Sequence, residues 1–121
     1  MKANTISSDV ELVSKSVVNA ADCLGLDRET MANTLGVSIP TVARLKKGNT
    51  LPGQKPVELS LLLIRVYRSL YSIVGGSHEA MKHWMKTPNS HLSNEAPKKL
   101  IQQADGMAQV LWYLDAMRGR I

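Results

Sequence analysis

Gly36-Val37-Ser38 separates two runs with helical spacing, one opening at Asp27 and one running from Ile39 to about Lys47. Glycine takes the positive φ of a tight corner without steric cost. A serine two residues later accepts the amide hydrogens that a helix start leaves bare. Two short helices joined by such a corner form a helix-turn-helix. Ala32 is small where the helices cross, and Val37, Val42 and Leu45 would hold the second helix against the first. The outward positions are then Ile39, Pro40, Ala43, Arg44 and Lys47, with Thr41 and Lys46 at the edges and Ser38 as the cap. A helix set in a DNA major groove would present these side chains. Arg44 is the expected base reader, because a guanidinium bonds both guanine acceptors. Lys46, Lys47 and Lys55 suit phosphates, and Ile39 and Pro40 suit thymine methyls.

Charge distribution supports a polyanionic partner. Of a net +5, residues 44–68 carry a balance of +5 while residues 1–27 carry −2. The positive charge is therefore local to the segment that contains the second short helix. With 44% hydrophobic residues in 121, a packed core is expected. Leu, Met, Ala and Val dominate and Phe is absent, which favours helix. Cys23 is alone, so it makes no disulfide within the chain and is expected to pack as a small hydrophobe. The N-terminus lacks an apolar signal core, and the longest apolar run, Leu61 to Ile64, is far too short to span a membrane. A cytoplasmic protein is expected.

The rest of the chain also reads as helix. Ser7, Ser8 or Asp9 would cap a first helix whose apolar face is Val10, Val13, Val17, Ala20, Ala21 and Leu24. A loop at 49–56 precedes a long helix from Val57 to Val74. Its polar stripe would be Glu58, Arg65, Ser69 and Ser72, making it the central and most buried helix. Gly75-Gly76 ends it. Ser77 to Met85 forms a short helix, and Thr87-Pro88-Asn89-Ser90 a turn. Ser93 or Asn94 would cap a helix carrying Pro97, with Leu100, Ile101 and Ala104 on its apolar face. Asp105-Gly106 marks a joint. A last helix to Arg118 would turn Met107, Val110, Leu111, Leu114 and Met117 inward. Trp84, Met85, Leu100 and Trp112 read as core. The fold class is all-α: an N-terminal helix-turn-helix bundle (1–74) continuing through the long helix into a small C-terminal helical domain (75–121).

No catalytic set emerges. His78, His83 and His91 are spaced by five and eight residues, which does not stack them on one helix face. Neither a carboxylate pair, a nucleotide-cradling glycine loop nor a metal motif is present, so no enzyme activity, cofactor, metal or small-molecule substrate is expected.

The segment Gly36-Val37-Ser38 followed by Thr41-Val42 resembles the Xre and phage-repressor helix-turn-helix family over about fifty residues. The continuation carries a second likeness. Trp84-Met85, Pro88-Asn89, Leu92, Pro97, Leu100-Ile101, Gly106, Val110 and Leu114 resemble the signature of the Xre/MbcA/ParS toxin-binding domain. One departure stands out: the family's usual Leu-Gly-Gly-x-Thr-Pro is here Leu92-Ser93-Asn94-Glu95-Ala96-Pro97, so a different backbone is expected at that turn. The resemblance implies an antitoxin partnered with a RES-domain toxin that depletes NAD. It would neutralise the toxin over its active-site entrance and repress its own operon by binding operator DNA. The candidate toxin contacts are Pro88, Asn89 and Leu92 in the turn, and Arg118, Arg120 and Ile121 at the end. A homodimer is expected, since one small domain covers the apolar 57–74 helix poorly. The alternative is a stand-alone repressor whose C-terminal half only dimerises.

Overall fold

Short-range capping sets the starts of three helices and the end of one. The Asp27 carboxylate accepts the Thr30 N–H at 2.8 Å, Ser38 Oγ accepts the Thr41 N–H at 3.2 Å, and Ser77 Oγ accepts the Ala80 N–H at 3.1 Å. Gly36 ends its helix in the left-handed region, φ 69° and ψ 35°, and donates its N–H to the Ala32 carbonyl. The computed structural model describes residues 2–119, with side chains from residue 9 onward. Among these residues the chain is all-helical: α1 (Lys2–Leu24), α2 (Arg28–Leu35), α3 (Ile39–Lys46), α4 (Gln54–Ile73), α5 (His78–Lys86), α6 (Pro97–Leu100) and α7 (Ala104–Met117). A single 3-10 turn, Ser90–Leu92, lies between α5 and α6.

Several ends differ from the sequence expectation. α1 runs through Ser7, Ser8 and Asp9 instead of starting there, since neither glycine nor proline interrupts the residues before them. α4 begins at Gln54 rather than Val57. Pro56 falls in its first turn, where the missing N–H has no acceptor to lose. Asp105 and Gly106 lie inside the first turn of α7 rather than at a joint. Neither Ser93 nor Asn94 caps α6, whose cap is Ala96 without a side-chain bond. They take φ 59° and 62° instead, so the backbone keeps the left-handed corner that glycines adopt freely.

One hydrophobic core runs through the whole chain. It joins Val17, Ala21 and Leu24 of α1, Met31 and Leu35 of α2, Val42 and Leu45 of α3, and Leu63, Val66 and Leu70 of α4 to Met81, Met85, Leu92, Ile101, Val110 and Leu114. α4 packs most extensively on α1, and also touches α2, α7 and α5. It is not covered all round as expected. Ser69 is buried rather than part of a polar stripe, whereas Leu61 and Tyr71 face solvent. Ala104, Trp112 and Met117 are exposed too, against the expectation of an apolar contact for each. In α7 the buried Val110 and Leu114 flank Trp112 by two residues on either side, which turns the indole to the opposite face.

α6 and α7 meet backbone to backbone at Gly106. A Cβ there would stand 2.1 Å from the Leu100 carbonyl oxygen. Gly106→Ala should therefore destabilise the fold by about 3 kcal/mol in chemical denaturation; parental stability would mean the two helices are further apart. Asn94→Gly should act in the other direction. It relieves left-handed strain but frees the unfolded chain, for a net gain of about 0.5–1 kcal/mol. A loss of stability would show that Asn94 makes a compensating contact.

Candidate nucleic-acid interface and partner surface

α3 is anchored by Val42 and Leu45, both buried, and presents the opposite face to solvent. Ile39 is 47% exposed, Pro40, Arg44 and Lys47 are exposed, and Thr41 and Ala43 are half-buried. Ser38 Oγ lies 2.9 Å from Thr41 Oγ1, which accepts Arg44 Nη2 at 3.0 Å. The cap, Thr41 and Arg44 thus form a polar string along the exposed face. No acidic residue lies between Glu29 and Glu58, so nothing on this stretch of chain repels an anion. The expected cations are not equivalent. Lys46 Nζ pairs with Asp22 on α1 at 3.0 Å, which turns it away from the exposed face. Lys55 lies in the first turn of α4, 3.8 Å from Glu58. Among the described residues Arg44 and Lys47 make no ion pair.

The loop after α3 has a tether that sequence reading passed over. Ser14 is buried in α1, bonds the Val10 carbonyl at 2.7 Å, and accepts the Leu51 N–H at 2.9 Å. Leu51 is itself buried. A serine on the otherwise apolar face Val10, Val13, Val17 was the available signal.

Beyond α5, Asn89 organises the turn. Its side chain accepts the His91 N–H at 2.9 Å, its N–H donates to the Glu95 carbonyl at 3.2 Å, and its carbonyl accepts from Leu92 and Asn94. Pro88 is exposed beside it. Leu92, expected at a partner surface, is fully buried beneath the turn because the 3-10 geometry points it into the core. Arg118 folds back to donate to the buried Ser69 Oγ at 3.1 Å. Arg120 and Ile121 lie outside the described residues. Trp84 and Tyr113 stack with centroids 6.5 Å apart, and His91 stacks on Tyr113 at 5.5 Å, tying α5, the turn and α7 together. Trp112, 63% exposed, stands next to this stack in sequence and was missed as a surface residue.

Two polar links join the helix-turn-helix to α6 and the turn that follows it. Asn33 Nδ2 donates to Gln102 Oε1 at 2.9 Å, and Lys98 Nζ lies 3.4 Å from Asp27. Among the described residues there is no group of three or more His, Cys, Asp or Glu placed to hold a metal ion, and no helix is long and apolar enough to cross a membrane.

Comparison with known families gives two matches. Residues 11–66 match the antitoxin Xre-like helix-turn-helix domain, and residues 69–120 match the antitoxin Xre/MbcA/ParS C-terminal toxin-binding domain. The two meet inside α4. No individual curated protein matches the chain.

The Asp27 cap has a pH signature. Hydrogen bonds from the Thr30 side chain and amide, with a smaller pull from Lys98, hold its carboxyl below the usual carboxylate range. A carboxyl whose folded pKa is depressed stabilises the fold above its unfolded pKa, and that contribution is lost as pH falls through the folded value. Asp27→Asn keeps a capping oxygen but removes the charge. It should lower stability at neutral pH and flatten the fall in stability below about pH 4. Parallel acid limbs for variant and parent would show that this carboxylate is not held as described.

Proposed function

The chain belongs to the Xre/MbcA/ParS-type antitoxin family, and on that premise we propose that it neutralises a RES-domain toxin that depletes NAD and represses its own operon through α3. The observation that carries the DNA reading is the exposed face of α3: Ile39, Pro40, Arg44 and Lys47 stand together on a helix fixed by the Ser38 cap, in a segment free of acidic residues. The toxin-binding reading rests on the second family match, with the exposed Pro88 and Trp112 as the side chains proposed to reach a partner. Arg118 is placed at this end by its hold on Ser69, and Arg120 and Ile121 are proposed as further contacts. Cytoplasmic action as a homodimer on a two-fold operator completes the proposal. A RES-domain protein from the adjacent gene, co-purifying with this chain and losing NAD hydrolysis in the complex, distinguishes it from a stand-alone repressor.

Arg44→Ala should weaken binding to the DNA upstream of its own gene by about 1–3 kcal/mol and relax preference at one base pair. Lys47→Ala should weaken binding to all sequences alike and reduce the salt slope by about one. The double variant should still protect cells from the toxin. Variants that bind like the parent would remove α3 from the groove, and loss of protection in a folded double variant would show that α3 also serves the toxin contact.

A further inference from the structure

The basic segment of the sequence divides in two in the structure. Arg44 and Lys47 belong to the exposed side of α3, whereas Arg65 and Arg68 stand on α4. With Arg118 at the end of α7, these two arginines line a groove of about 690 Å³ between α4 and α7. Leu61 and Ile64 lie on the same face of α4 and give the groove an apolar floor. Asp115 is its one acidic side chain.

Two of the three guanidiniums are held in place. Arg65 pairs with Asp115, whose side chain is 19% exposed. Arg118 is half-buried and donates to Ser69 Oγ at 3.1 Å, and Ser69 is itself 1% exposed. A hydroxyl orients a guanidinium without cancelling its charge. Arg68 is exposed and has no polar partner among the described residues. Three arginines against one carboxylate leave the groove with a net charge of +2, and that charge belongs to Arg68 and Arg118. Like charges lining one groove repel each other. A bound anion of matching charge removes that cost.

We infer that this groove binds a phosphate dianion between Arg68 and Arg118, with room over Leu61 and Ile64 for the organic part of a phosphomonoester. Guanidinium forks match phosphate oxygens in geometry. A terminal phosphate carries about −1.5 to −2 at neutral pH, which fits two uncompensated arginines. A carboxylate or a nucleic-acid phosphodiester brings one charge per group and leaves one arginine unmatched. The volume is that of a small-molecule site rather than of a bare ion. Ser69 acts as a positioning residue, through Arg118.

Calorimetric titration of the full chain tests this, in about 150 mM salt so that diffuse attraction between exposed charges is screened. The probes are inorganic phosphate, phenyl phosphate and phenyl sulfate. Phenyl phosphate should saturate one site per chain, and phenyl sulfate, of like shape but single charge, should bind about tenfold more weakly. Phenyl phosphate binding about tenfold tighter than inorganic phosphate identifies a monoester as the ligand, through the apolar floor; equal affinity identifies free phosphate. Affinity should fall below about pH 6, where the dianion takes up a proton while the arginines stay charged. Arg68→Gln, at an exposed position, should weaken phenyl phosphate about tenfold, and Ser69→Ala should weaken it with the fold intact by thermal melting. Lys86→Gln, the same loss of charge on α5, should change nothing. No saturable binding at millimolar phenyl phosphate, equal affinity for phenyl sulfate, or an Arg68→Gln variant that binds like the parent would overturn the site. The chain is titrated alone, so the outcome is separate from that of the toxin and DNA readings.

Discussion

α1 lies along α4, and most of the molecule hangs from that pair. α2 and α7 rest on α4, α3 rests on α1, and α5 touches both. α6 is held mainly through α5 and α7. Val17, Ala21 and Leu24 meet the Leu63, Val66 and Leu70 side of α4 in one core that continues without a gap into the C-terminal helices. The boundary between the two family matches therefore falls inside a single rigid helix rather than at a linker. The exposed second helix of the helix-turn-helix and the aromatic stack of Trp84, Tyr113 and His91 are mounted on the same frame. A change in the angle between α1 and α4 would move both.

What was legible in the sequence follows from range. A cap is an interaction between residues i and i+3, so Asp27, Ser38 and Ser77 announce their helices without help from the rest of the chain. The corner at Gly36 is equally local, and the anchoring of Val42 and Leu45 follows from helical spacing. The face of α4 that is covered depends on which distant elements arrive. Its pattern is apolar nearly all round, so periodicity could not separate the buried Leu63 and Val66 from the solvent-facing Leu61 and Tyr71. Within the candidate site the same division holds. Arg44 and Lys47 follow from local spacing, whereas the ion pair that withdraws Lys46 spans twenty-four positions and the Ser14 tether thirty-seven. The Ser93-Asn94 corner misled for a different reason. Both residues are good helix caps, but the Asn89 carbonyl that accepts from Asn94 demands the left-handed geometry instead.

Under the proposed repressor function, the withdrawal of Lys46 bears on how a promoter would respond to the amount of free protein. With that charge paired to Asp22, one copy would offer DNA little beyond Arg44 of α3 and Lys47 at its end. A single copy so equipped leaves DNA quickly at cellular ionic strength. A dimer of the proposed kind would make the second half-site encounter intramolecular, at an effective concentration on the order of millimolar. Occupancy of such an operator would then rise with roughly the square of free protein below the dimerisation threshold. Under that proposal, a gradual fall in free protein would become an abrupt release of the gene the operator controls.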